Sequence, residues 1–171
     1  MEKINKNLRI YFLFVSFLII TLYSIKGVAM SFFSATEVVL FSPMSGVITF
    51  EGKPVENAKI VVHVYWKDEV GEKEDFHTNE QGEFDIPQKK IRTRIPPLAE
   101  FVVTQQISVF FSGEEYVIWS KAVMGTDEYG GLGGNPVNVK CELTDKRVKQ
   151  KDFHGLFSTS CTWDLTTKKG R

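Results

Sequence analysis

Two cysteines, three histidines and two strings of cations are the side chains in this 171-residue chain with the best scope for specific chemistry. Cys141 and Cys161 lie too far apart in sequence for the Cys-x-x-Cys spacing of a redox dithiol or a zinc-binding pair. His63, His77 and His154 stand alone, with no Gly-x-Ser-x-Gly or His-Glu-x-x-His motif around them. Each reads first as a surface or strand-filling side chain, and His63 can meet His77 only if their strands are neighbours. Residues 68–75 (DEVGEKED) are charged densely enough to read as a solvated loop, and they lack the Gly and Asp spacing of a calcium loop. Gly130, Gly131, Gly133 and Gly134 come without the Lys-Ser/Thr pair and following helix of a phosphate loop, so they read as a flexible connection. The expectation is therefore no catalytic residue, no metal and no cofactor.

The cations point to binding. Lys89, Lys90, Arg92 and Arg94 fall in KKIRTRIPP, where an extended backbone puts Lys90, Arg92 and Arg94 on one side. Such a segment is either a solvated edge whose charges block edge-to-edge pairing, or a docking site for phospholipid, envelope glycan or an acidic protein surface. Tyr65 and Tyr129 are expected as exposed aromatics that add to it. Lys146, Arg147, Lys149 and Lys151 allow the same two readings, on a helical turn capped by Thr144 or Asp145 or on an open loop. The first 29 residues hold four of the 21 basic and one of the 21 acidic side chains, so the remainder carries 17 against 20, a net of about −3. A mildly acidic domain is a poor nucleic-acid binder.

Lys3, Lys6 and Arg9 precede an uncharged run, IYFLFVSFLIITLYSI, at residues 10–25, the pattern of an export signal. The run is slightly short for a relaxed bilayer span of about 20 residues and longer than many cleaved signals, so cleavage after Ala29 and retention as a membrane anchor both stay open. Either way the rest of the chain is expected outside the cytoplasm: periplasmic, anchored in the inner membrane facing the periplasm, or secreted. That compartment is oxidising. Val137, Val139, Cys141 and Leu143 share one face of a late strand, and Phe157, Thr159, Cys161, Trp163 and Leu165 share a face of the same character. Two core-facing cysteines there are expected to form a Cys141–Cys161 disulfide, with two buried thiols as the alternative.

The elements that must position these groups read as strands. Ile60, Val62, Val64 and Trp66 alternate with Lys59, Val61, His63 and Tyr65, and the first series is expected to face the core. A short strand at residues 74–78, a turn at 79–82 and the restart at Phe84 and Ile86 read as a hairpin. Residues 102–111 and 116–123 read as a second strand pair, with Val103, Gln105, Ile107, Val109 and Phe111 on one face and the inner face of the second strand ambiguous. Residues 31–42 read as an N-terminal strand through Val38 and Leu40, or as a continuation of the anchor.

Gly46, Val47, Ile48, Phe50, Gly52, Pro54, Val55, Asn57, Ala58 and Ile60, followed by Thr78, Gly82 and Phe84, form a pattern. It resembles the carboxypeptidase-regulatory-like, or transthyretin-like, β-sandwich domains, in particular bacterial exported domains of unknown function. Asn57 and Asn79 stand where that pattern usually has Gly and Asp, both conservative changes for a turn. The resemblance implies an all-β, Ig-like sandwich of about seven strands with an accessory, non-catalytic habit, and it transfers no ligand or catalytic residue. The expected layout is a signal peptide or uncleaved anchor at 1–29, a connecting segment at 30–44, one β-sandwich at 45–167 and a basic tail at 168–171. The expected function is an exported envelope protein whose sandwich binds a protein or an anionic envelope component, with membrane contact through the N-terminal segment if it is retained. Two alternatives differ in class: a periplasmic immunity or inhibitor protein that neutralises a toxin or hydrolase, and a hydrolase in which His63, His77 and a carboxylate converge.

Overall fold

Along most of the chain, apolar side chains recur at every second residue, a spacing that a strand converts into one buried and one wet face. The computed structural model describes residues 6–24, 35–96, 98–126, 128–130, 132–150 and 156–166, and it is mostly strand. One helix, α1 (Lys6–Ser24), precedes β1 (Thr36–Phe41), β2 (Met44–Phe50), β3 (Lys53–Pro54), β4 (Lys59–Tyr65), β5 (Glu72–His77) and β6 (Glu83–Ile86). There follow β7 (Lys89–Thr93), β8 (Val102–Phe111), β9 (Glu114–Met124), β10 (Asn135–Glu142), β11 (Val148–Lys149), β12 (Phe157–Thr159) and β13 (Cys161–Thr166). Among the described residues this is more than the about seven strands expected; two of the segments are only two residues long and one apparent strand is split between sheets.

Among the described residues the strands form two open sheets and a ribbon. The six-stranded sheet runs β11-β12-β9-β8-β4-β5; the five-stranded sheet runs β13-β10-β2-β3 with β6 also on β2; β1 and β7 pair alone. Ile48, Phe84, Val139 and Cys141 from the smaller sheet and Ile60, Val62, Val64, Val103, Ile107 and Val109 from the larger belong to one core, joined by Val38 and Leu40 of the ribbon. Phe50 meets Phe111 between the sheets with ring centroids 5.5 Å apart, and Trp119 meets Trp163 at 5.6 Å.

Local chemistry explains the main turns. Ser112 and Gly113 close the β8–β9 hairpin with φ of 52° and 83°, the left-handed pair that matches strand twist. The ambiguous face of β9 is a bulge: the register slips opposite Ile107 and Ser108, so adjacent Ile118 and Trp119 are both buried. Thr78 ties β5 back to the start of β4 by donating its hydroxyl hydrogen to the Val55 carbonyl at 2.6 Å and accepting from the Ala58 N–H at 2.9 Å.

Three expectations change. The segments around the 79–82 turn do not form a hairpin, since β5 pairs with β4 while β6 pairs with β2 in the other sheet. The run from Phe157 to Leu165 is not one strand: the chain switches sheets at Ser160, with β12 on β9 and β13 on β10. The glycine-rich connection is not a loose linker, because Leu132 is buried and Ser42 Oγ donates to the Glu128 carbonyl at 3.3 Å and accepts from the Tyr129 N–H at 2.9 Å. In α1 every side chain from Ile10 to Ile19 is exposed. Among the described residues no helix is long and apolar enough to cross a membrane. Ala29, Lys151, His154 and the tail at 168–171 lie outside the described residues.

Candidate binding surface

The outer face of the five-stranded sheet is concave. Because Phe84, Ile86, Val139, Cys141 and Cys161 point inward, alternation turns Glu83, Asp85, Lys140, Thr162 and Asp164 outward, where all are exposed. β2 runs up the middle, antiparallel to β6 and parallel to β10. Val47 is opposite Glu83 on one side and Lys140 on the other, and Lys140 is opposite Thr162, so one row crosses four strands. The result is a groove of ≈ 730 Å³ whose polar lining comprises these side chains with Ser45, Asn79 and Asn138. Its floor needs a glycine: a Cβ on Gly46 would lie 2.2 Å from the Val139 carbonyl oxygen.

Amides hold two of its carboxylates in place. Asn138, at φ 54° in the bulge of β10, donates to Asp164 at 2.9 Å, and Asn79 donates to Glu83 at 2.8 Å. The surface thus presents three carboxylates, one ammonium, amides and hydroxyls. It is equipped to recognise a polar ligand by charge and hydrogen bonds. Sequence reasoning missed Glu83, Asp85, Lys140 and Asp164. Their outward alternation was visible, but nothing local indicated that β6, β2, β10 and β13 are neighbours.

The candidates from the sequence are distributed differently. Lys89 reaches across to β5, bonding Glu72 at 3.0 Å and also Glu74, and Lys90 pairs with Glu37 at 3.0 Å. Desolvation would lower the Lys89 pKa, but its two carboxylate partners outweigh it and raise the value, while the bond to Lys89 lowers that of Glu72. Among the described residues Arg92 and Arg94 form no ion pair and are exposed on the ribbon. Tyr65 and Tyr129 are not the exposed aromatics expected. Tyr65 is half-buried and bonded to His63 at 2.7 Å, and Tyr129 packs against the core. The Val70 carbonyl only accepts, so His63 Nε2 donates to it at 2.8 Å and Nδ1 accepts from the Tyr65 hydroxyl. β4 and β5 are neighbours, yet His63 is opposite Lys73 and His77 opposite Lys59, so the two histidines sit four positions apart along the pair. Among the described residues no three His, Cys, Asp or Glu side chains are placed to hold a metal ion.

Cys141 and Cys161 form the expected disulfide, directly opposed on β10 and β13 with Cα atoms 4.1 Å apart. One residue on, Glu142 turns outward and collects five donors: the Thr49 and Thr144 hydroxyls and the N–H groups of Glu51, Gly52 and Thr144. Desolvation pushes its carboxyl up, and the bonds from Thr144, Gly52 and Thr49 prevail and hold it at about 2. Lys121 is an inward-facing lysine, 3% exposed, its amine 5.3 Å from the centre of the Phe157 ring, and burial lowers it to about 8.

Fold and surface together define a disulfide-bonded all-β domain of two open sheets with a polar groove on the smaller one. A family described as a domain of unknown function (DUF6795) matches residues 44–146, more than half of the chain, and the chain belongs to that family. The match spans β2 through β10 and ends before Cys161. No curated protein and no solved structure matches the chain.

Proposed function

We propose that this chain is an exported, non-catalytic binding module: a transthyretin-like β-sandwich, delivered by its N-terminal segment, that receives a polar segment of a protein partner in the groove of its five-stranded sheet. The groove carries the proposal. Its ≈ 730 Å³ falls in the range of about 300–1,000 Å³ that ligand sites occupy. Charged and amide side chains from β6, β10 and β13 line it, and they are oriented by hydrogen bonds made before any partner arrives. Export is supported by the buried disulfide, which belongs to an oxidising compartment, and by the exposed apolar side chains of α1. The sandwich reading is supported by what the pattern residues do: Gly46 admits β10 against β2, and Thr78 anchors β4 to β5.

The test is site-specific photo-crosslinking from Thr162 in source cells, comparing the full chain with its Asp85→Lys/Lys140→Glu variant. A single crosslinked protein that falls by about tenfold in the variant, with melting unchanged, is the expected result. Equal crosslinking in both removes the groove from the function. Alkylation of intact cells separately tests export: Cys141 and Cys161 found as free thiols would contradict it.

A further inference from the structure

The connection from β7 to β8 is fixed at both ends and bare in the middle. Ile95 and Phe101 pack against the core, Phe101 lies 6.2 Å from Trp66, and the Phe101 carbonyl accepts from the Gly125 N–H at 2.9 Å. Between them the Ala99 N–H donates to the Pro96 carbonyl at 3.1 Å, closing a turn in which Leu98 is the third residue, at φ 67°. That position favours glycine, because a side chain there crowds the neighbouring backbone. Leu98 gains nothing by burial either, since its side chain is fully exposed. A bulky apolar residue that is both strained and wet is unfavourable on two counts in the fold alone.

The tip has apolar company. Tyr65 is opposite Thr104, Val64 opposite Glu72 and Val102 opposite Met124, so the loops at 66–71 and 94–101 and the end of β9 share one end of the six-stranded sheet. Val70, Val102 and Met124 are exposed there with Leu98. Thr93, the last residue of β7, is opposite Thr36, where the N-terminal segment enters the ribbon. Residues 25–35 join α1 to β1, and a segment of that length spans at most about 40 Å. The side chains of α1 from Ile10 to Ile19 are uncharged and exposed. A surface that receives α1 therefore has the Leu98 loop close at hand. Exposed Asp68, Glu69 and Glu100 share this end with Arg92 and Arg94, so charge does not select the occupant; the apolar side chains and the tether do.

We propose that this end of the sandwich docks on a lipid bilayer surface, with Leu98 inserted among the acyl chains and Arg92 and Arg94 at the level of the headgroup phosphates. The docking does not use the groove. It rests on the N-terminal segment staying with the chain and entering lipid.

The full chain reconstituted into vesicles of phosphatidylethanolamine and phosphatidylglycerol tests this, with a polarity-sensitive fluorophore on one added cysteine at a time: Phe14→Cys in α1, Ala99→Cys beside the tip, and Glu115→Cys at the opposite end of β9. Emission at positions 14 and 99 is expected to shift to the blue and to be quenched by brominated lipid, with position 115 unaffected. Quenching at 14 without quenching at 99 overturns the docking and leaves the N-terminal reading standing; quenching at neither overturns both. A blue shift at 99 that grows with protein concentration in vesicle-free solution assigns the surface to a second copy of the chain, and also overturns the proposal. Leu98→Gly separates contact from structure, because glycine suits φ 67°. In that variant quenching at 99 is expected to fall severalfold while the melting temperature holds or rises. Undiminished quenching, or a lowered melting temperature that shows Leu98 to serve the fold, overturns the assignment.

Discussion

The edge strands β13 and β5 are finished in opposite ways. β13 is joined to β10 by a disulfide between cysteines that are 0% and 4% exposed, and its Trp163 packs 5.7 Å from Phe157 and 5.6 Å from Trp119. β5 instead turns Glu72 and Glu74 toward the ribbon, where Lys89 neutralises them, with both carboxylates about half exposed. One edge is held by a covalent bond and apolar burial, the other by charges in contact with water. The first acts largely by constraining the unfolded chain and is indifferent to salt and pH. The second varies with both. Part of the basic segment thus closes a sheet edge: Lys89 is bound to Glu72 and Glu74 of β5.

That contrast can be broken at several points. Replacing both cysteines with alanine opens a loop of sequence separation 20 and is expected to cost about 3 kcal/mol, read by urea denaturation of the full chain. A loss below about 1 kcal/mol would show that apolar packing alone holds β13. Gly46→Ala forces a Cβ against the Val139 carbonyl in the middle of the same sheet and is expected to cost about 2 kcal/mol, with no change in the disulfide. Glu142→Gln removes a charge from a carboxylate that is only partly buried, so a loss of only about 1 kcal/mol at neutral pH is expected after solvent screening. Its pH signature is more telling. The folded value of about 2 lies below the ordinary 4.5, so this stabilisation is complete above 4.5 and disappears as pH falls toward 2. Acid titration of melting temperature should lose that limb in the variant.

Lys89→Met tests the ionic edge directly and is expected to cost less than about 1 kcal/mol, shrinking further in high salt. Lys89 is raised above 10.5 and Glu72 lowered below 4.5, so the pair contributes above 4.5 and below 10.5 and fades outside that window. A salt-independent loss would mean that Lys89 acts through its aliphatic stem instead. Arg92→Ser with Arg94→Ser should leave stability within about 0.5 kcal/mol of the parent, because both side chains are exposed on the ribbon. Any larger loss would show the ribbon to be held by more than its buried face.

Where local pattern and packing agree, the strands were legible from residue types. Ile60, Val62 and Val64 face the core as their alternation requires, and so do Val103, Gln105, Ile107 and Val109. The ambiguity in β9 was itself a signal, since a bulge at Ile118 buries two adjacent residues and no strict period can fit both. The failures have one physical source. The turn at Asn79 to Gly82 has the right chemistry for a hairpin, yet turn chemistry governs only how the chain reverses and not which sheet receives it. The same holds at Ser160, where alternation continues across a change of sheet. Of the candidate site, only its alternating polar positions could be read, because the parallel pairing of β10 with β2 joins segments about 90 residues apart.

What the sequence determined by itself was therefore the class of the chain: period-two burial that makes it all-β, with two cysteines on inward-facing positions. An apolar run at residues 10–25, preceded by Lys3, Lys6 and Arg9, is read directly from the sequence as well. Those properties depend on neighbours within a few residues, and the physics of a single strand expresses them. Which strands meet was decided only by the tertiary structure. That choice placed Lys89 against Glu72 and Glu74, gave Glu142 its five donors, and brought Glu83, Lys140 and Asp164 onto one concave face. Non-local pairing is settled by the packing of the whole core, to which each of these polar residues contributes almost nothing until it is already in place.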